Sequence, residues 1–464
     1  MDRQTMLAKS GILTFLARND LKARCIRSSA ILGGTAVVTR AVGLGSKMLL
    51  TRILLPSEMG LAVVLMAITT FFEAIAEVGI KQSVIQNRKG ADNEYVNTAW
   101  WFQVARAVLL YALAVFMVPH ACHFYFADKA DVLAQHDWPT LRLMLYVSCL
   151  SLLFNGFISP RAYVLEKEFH FARAAAIDQG AFLAGTAVTV TLTLVTRSIW
   201  GMILGFIGTS LSRCVLSHAL APFRPRMEFH KESLESLLRF GKGVFGLPLL
   251  TYLVLNIDLL ILGRLAQAWL VGMYGMAAVL ARAPQDLYGK VVNPVLLPLF
   301  SAKQEESAAI GKIVNRIAFH INLIGVPLLV LAGFLGGTLL SLAYGHEYRV
   351  VSTAFSLICV SVLFHTHATL FTNVLVALGH PEKQRLWCLI VSGVAAVTCY
   401  PMVIWWGEVG AAIAIVVSHF IGMIVQVIMT SRMIQVSVKS YVASYGAGLL
   451  LGVVVLIVDF MLGH

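Results

Sequence analysis

The chain has 464 residues, of which 58% are hydrophobic and only 13% charged. A soluble domain carries about 25% charged residues, so this composition excludes a soluble enzyme core and points to an integral membrane protein built as a helical bundle. The formal net charge of +12 does not argue for nucleic acid, because the excess lies in alternate loops between apolar segments.

Residues 1–28 carry a short apolar run at 12–16 followed by Arg18, Lys22, Arg24 and Arg27. This pattern predicts an amphipathic arm on the cytoplasmic membrane surface rather than a cleaved signal. A helical hairpin over residues 34–89 follows, turning at Pro56 and Ser57. Its first helix holds Arg40 and Lys47, its second Glu73 and Glu77. A charge at bilayer depth costs roughly 2.5–3.5 kcal/mol, so four of them demand mutual pairing, a wet cavity, or both. Arg40 and Lys47 are two helical turns apart and share a face, as do Glu73 and Glu77 one turn apart. One reading closes the hairpin with two salt bridges; the other makes it a cationic wall that receives an anionic ligand.

Further apolar segments fall at 98–119, 141–163, 174–196 and 198–219, before a basic connection at 220–240. The second set lies at 241–263, 270–295, 315–343, 351–377, 386–406, 408–431 and 441–461, which makes thirteen candidate spans. Lys and Arg concentrate on the side of the N-terminal arm, and only Arg52, Lys129, Arg142, Arg197, Arg264 and Arg349 fall opposite. That bias predicts a cytoplasmic N-terminus. All 8 tryptophans lie near predicted span ends, where interfacial rings belong.

Segments separated by about 210 residues echo each other: RILLPSEMG at 52–60 with RLAQAWLVG at 264–272, and LLFN at 152–155 with VLFH at 362–365. The predicted fold class is therefore an all-α polytopic membrane protein. Two six-helix bundles, related by a pseudo-two-fold axis along the membrane normal, are joined by a linker and followed by an extra helix. The predicted boundaries are 1–28 for the arm, 29–219 and 241–432 for the bundles, 220–240 for the linker and 433–464 for the extra helix.

Other ionisable residues at membrane depth are Arg106, Asp178, Asp258, Arg282, Asp286 and Lys290. Arg282, Asp286 and Lys290 recur every four residues, which suits an internally neutralised ladder or a second cavity wall. Candidate substrate-binding residues are Arg40, Lys47, Arg106, Arg282 and Lys290; candidate pairing or coupling residues are Glu73, Glu77, Asp258 and Asp286. Asp258 suits either an interhelical pair or a site for a coupling proton or sodium ion. His320, His365 and His367 read as packed imidazoles, and Asn155, Asn293 and Asn373 as interhelical hydrogen-bonding groups. The 7 cysteines are scattered without a CxxC pair. His120, Cys122, His123 and Asp128 read as a polar loop rather than a metal site. No GxxxxGK loop or GxSxG elbow appears, and no external segment is long enough for a soluble active site, so no enzyme, cofactor or metal is expected.

The run SKMLLTRILLPSEMGLAVVLMAITTFFEAIAEVGIKQSVIQ at 46–86 resembles the first hairpin of the bacterial polysaccharide transporter family. These are the oligosaccharide flippases of the multidrug/oligosaccharidyl-lipid/polysaccharide exporter superfamily. A basic residue, Leu, a short turn with an acidic residue, Gly, an apolar run and a Gly with a small-polar finish carry the likeness. The resemblance implies a transporter that moves undecaprenyl-diphosphate-linked oligosaccharide repeats to the outer leaflet by alternating access, for surface or exopolysaccharide assembly. Its implied partners are that lipid-linked oligosaccharide, membrane lipids, and polysaccharide polymerase and export machinery. A drug/cation antiporter of the same superfamily and a membrane polysaccharide polymerase or ligase are the competing expectations.

Overall fold

The computed structural model describes residues 21–451 apart from 227, 302, 435, 436, 438, 440 and 447. Every regular element among them is helical. Residues 1–20 of the expected arm lie outside the described residues, and residues 21–28 open the first helix, α1 (Leu21–Leu50).

The hairpin forms as expected. A turn leads to α2 (Pro56–Ala76), which starts with Pro56, a residue that needs no amide partner there. Glu58 accepts the Leu55 amide at 3.2 Å, half of a capping box. At its far end α2 breaks at Glu77. Gly79 adopts a left-handed φ of 70° and starts α3 (Ile80–Gln86). Then come α4 (Asn93–Phe126) and α5 (Trp138–Gly156), which bends by 59° across the Pro160 break into α6 (Arg161–Lys167). Helices α7 (Phe171–Thr196) and α8 (Trp200–Leu220) close the first half of the chain. Their seam is built of small residues: a Cβ on Gly185 would meet Thr209, and one on Gly205 would meet Thr189, each under 2 Å. Such close approach is how helices associate where no hydrophobic drive separates them from lipid.

The linker leads to the amphipathic helix α9 (Lys231–Val244), whose Leu237 and Gly241 face inward against residue 78. Helix α10 (Leu247–Leu265) is followed by a broken run, α11 (Ala268–Ala281), α12 (Ala283–Val291) and α13 (Asn293–Ser301). Long helices α14 (Ser307–Tyr344), α15 (Ser352–Ala377) and α16 (Glu382–Ser431) follow.

The 50 residues of α16 are two helices folded back on each other. Trp406 and Gly407 leave helical dihedrals, a Cβ on Gly410 would strike the Met402 carbonyl, and Trp387 donates to the Gly422 carbonyl at 3.0 Å. Among the described residues, eight helices are long and apolar enough to cross a membrane, or nine with the bent α5–α6 pair. The thirteen expected spans reduce to these because α16 holds two, the 270–295 segment is broken, and α1 carries Arg40 and Lys47. The thirteenth segment begins as a helix at Tyr441, and residues 452–464 lie outside the described residues.

Helices α2 and α11, which carry the sequence echo, cross backbone to backbone. A Cβ on Gly60 would collide with the Ala268 carbonyl, and one on Gly272 with the Pro56 carbonyl. The main core runs through this crossing, from Met59, Leu61 and Leu65 to Tyr274 and on to Tyr344 and Tyr348.

Candidate transport cavity

A cavity of about 600 Å³ opens beside the C-terminal end of α2, walled by α1 to α8 with contributions from α11 and α12. Six basic side chains line it (Arg40, Lys47, Lys81, Arg106, Arg213 and Lys290) against four acidic ones (Glu73, Glu77, Glu166 and Asp178). The structure thus gathers Arg40, Lys47, Arg106, Lys290, Glu73 and Glu77 at one site, as expected from their cost in hydrocarbon.

Most of these cations already have partners. Arg40 reaches across to the second half, pairing with Asp286 at 2.9 Å and donating to the Val279 carbonyl at 2.7 Å. Arg106 holds Glu77 and the Ala76 carbonyl, each at 3.0 Å. Lys81 pairs with Glu166 at 2.6 Å, and Arg213 with Asp178 at 3.1 Å. Glu73 accepts the Asn155 amide at 3.0 Å. Lys47 and Lys290, from α1 and α12, have neither an ion pair nor a hydrogen bond among the described residues. The half-buried Lys47 and the exposed Lys290 thus bring two unpaired ammonium groups to one cavity, which suits an anion.

Gln103 secures the opposite wall. Its amide donates to the carbonyls of Asn155, Gly156 and Ile158 at 3.0–3.2 Å, which satisfies the carbonyls left open where α5 breaks. Tyr163 in turn donates to the Gln103 oxygen at 3.3 Å.

Three expectations resolve differently. The hairpin is not closed by its own salt bridges, since Arg40 pairs with α12 and Glu77 with α4. Arg282, Asp286 and Lys290 form no ladder: the helix breaks at Arg282, which pairs with Asp258, and Asp286, though one turn from Lys290 on α12, pairs with Arg40 instead. Arg282 lies away from the cavity, bound to the fully buried Asp258 at 2.9 Å and to the Leu255 carbonyl at 2.6 Å. Asp258 also accepts from Tyr274 at 2.8 Å. Lys81 and Glu166 escaped sequence reasoning because they sit near span ends, where a charge costs little; Arg213, inside α8 and paired with Asp178, was missed.

The N-terminal end of α2 is closed. Arg52 donates to the Leu342 carbonyl at 3.1 Å, and Arg264 pairs with Asp128 at 2.9 Å. Asp131 accepts the Trp269 amide at 3.0 Å, and the buried Lys129 donates to the Ala266 carbonyl. His123 stacks on Trp138, Cys122 is core, and among the described residues no group of three His, Cys, Asp or Glu is placed to hold a metal ion.

A multi-pass helical protein with a charged cavity, walled mainly by the first half of the chain and closed on one side by the second, has the form of a membrane transporter rather than an enzyme. The chain belongs to the family described as polysaccharide biosynthesis protein, which matches residues 49–353. It is 24% identical over 441 residues to the lipopolysaccharide biosynthesis protein WzxC of Escherichia coli (strain K12), covering 92% of this chain and 85% of that one. It is 21% identical over 343 residues to the succinoglycan biosynthesis transport protein ExoT of Rhizobium meliloti (strain 1021), covering 74% and 67%. In fold it is similar to the lipid II flippase MurJ in an inward closed conformation, with a TM-score of 0.76 over 93% of each chain at 13% identity. An inward-facing MATE multidrug transporter aligns with a TM-score of 0.55 over 87% of this chain and 94% of that one, at 16% identity. These structural likenesses speak to the fold alone.

Proposed function

We propose that this protein flips undecaprenyl-diphosphate-linked oligosaccharide repeat units from the cytoplasmic to the outer leaflet of a bacterial inner membrane, its N-terminus cytoplasmic. The observation that carries the reading is the pair of unpartnered ammonium groups, Lys47 and Lys290, inside a cavity whose other cations are already engaged. A diphosphate diester brings two negative charges that hydrocarbon rejects, and two free ammonium groups replace its lost hydration with charge-assisted hydrogen bonds. Gln179 offers an uncommitted amide group on the same walls for sugar hydroxyls. An organic cation would meet, among the described residues of the cavity, two unpaired ammonium groups and, in Glu73, a single carboxylate without an ion pair. The family match and the polysaccharide biosynthesis names of WzxC and ExoT support the substrate class. Polymerase and export machinery would consume the flipped repeat.

The test is the pair Lys47→Ala and Lys290→Ala, singly and together, in a strain deleted for the chromosomal copy. The expected outcome is loss of surface polysaccharide in the double variant, with lipid-linked repeat units accumulating on the cytoplasmic leaflet and normal amounts of inserted protein. Full surface polysaccharide in the double variant would overturn the reading.

A further inference from the structure

The second half of the chain holds a buried polar cluster that the cavity does not use. His365 on α15 and His419 on the second limb of α16 meet edge to face, with ring centroids 4.9 Å apart. His419 is 5% exposed, and neither of its ring nitrogens has a hydrogen-bond partner; the Nδ1 of His365 is likewise buried and unpartnered. The carbonyls of Val254 on α10 and Ser361 on α15 lie alongside His419 without closing a bond of normal geometry. Trp387, on the first limb of α16, packs on His365 at 5.7 Å.

The charged neighbours are few. Arg282, at the α11–α12 break, is within electrostatic reach of both rings. It is balanced by Asp258 on α10, whose Oδ1 is buried and unpartnered and whose Oδ2 also takes the Tyr274 hydroxyl. His367 faces the other way, onto Asn322, Tyr441 and Tyr445.

Buried polar atoms left without partners require an explanation, and ionisable groups inside a membrane bundle are retained for function. Two imidazoles are too few to hold a metal ion, and no third His, Cys, Asp or Glu completes a set among the described residues. What two facing imidazoles with free nitrogens can take is a proton. We propose that His365 and His419 form a proton-binding site in the membrane interior, separate from the transport cavity, that holds one proton between the two rings. The Val254 and Ser361 carbonyls are the acceptors available to that charge. The ligand enters from water and leaves to water, with no covalent step.

Trp387 reports the event, because an imidazolium quenches a neighbouring excited indole and a neutral imidazole does so far less. The experiment follows the fluorescence of the full-length protein in proteoliposomes from about pH 8 to about pH 5, the range over which imidazoles change charge. The signal of Trp387 is isolated as wild type minus W387F. Expected is a quench that follows a single-proton curve and is lost in both H365Q and H419Q, with H419N as the alternative should H419Q not fold. A Trp387 signal flat across that range, which needs no histidine variant to observe, would overturn the proposal. So would a titration that survives in both histidine variants. No lipid-linked substrate is present, so Lys47→Ala and Lys290→Ala should leave the curve intact, and failure of the flippase reading stays distinguishable.

Discussion

The Lys129 ammonium caps the C-terminal end of α10 by donating to the Ala266 carbonyl, where the helix dipole favours a cation. Burial nonetheless pushes its pKa down to about 8, helped by Arg264 and opposed by Asp131 and Asp128. A lysine whose folded value lies below its ordinary 10.5 binds fewer protons folded than unfolded through that window, so stability rises with pH. Between about pH 8 and 10, the thermal stability of wild type should therefore climb relative to Lys129→Met, which has no proton to lose. A constant difference between the two proteins would contradict the assignment.

Residues also show what one dimension conceals. Arg40, Lys47, Arg106 and Lys290 were legible as cavity cations because hydrocarbon makes any charge expensive. Their partners were not, because spacing along a helix reports only neighbours on that helix. The spacing matches Arg282 to Asp286 four residues on, yet Pro284 sits in the first turn of a new helix and the real partner, Asp258, lies on α10.

At the scale of elements, hydropathy located nearly every long helix, and the breaks between them were the harder part. The break after α2 links the cavity to the helix that joins the halves. Glu77 takes Arg106 with one carboxylate oxygen and the Gly79 amide with the other, both at 3.0 Å. Gly79, at φ 70°, lies where a Cβ would meet Val244 and Phe240 of α9. A ligand anion that draws Arg106 away from Glu77 thereby acts on the seat of α9. Glu77→Gln keeps an acceptor for the Gly79 amide, whereas Glu77→Ala removes it. Trypsin should therefore cut after the exposed Arg239 and Lys242 several-fold faster in Glu77→Ala than in wild type, with Glu77→Gln close to wild type. Equal rates in all three proteins would show that Glu77 does not hold this joint.

For the whole molecule, the reciprocal contact of Gly60 with Ala268 and Gly272 with Pro56 supports a local two-fold between echoed segments. That relation was visible in sequence only as a faint repeat, because backbone contact selects for the absence of a side chain rather than for any particular one. The cavity opens at one end of α2, and the other end is held shut across the halves by Arg264–Asp128 and Lys129–Ala266. If transport proceeds by rocking of the halves, the shut end must part once per cycle. Asp128→Cys and Arg264→Cys place two thiols where an exposed ion pair stood, within reach of a short bis-maleimide. Cross-linking the double variant should arrest polysaccharide export, while either single variant treated alike continues to export. The native cysteines at 122, 149, 388 and 399 are buried, and treated wild type serves as the control for the rest. Export at the wild-type rate from fully cross-linked protein would rule out separation at this end, and the substrate would then have to leave sideways into lipid.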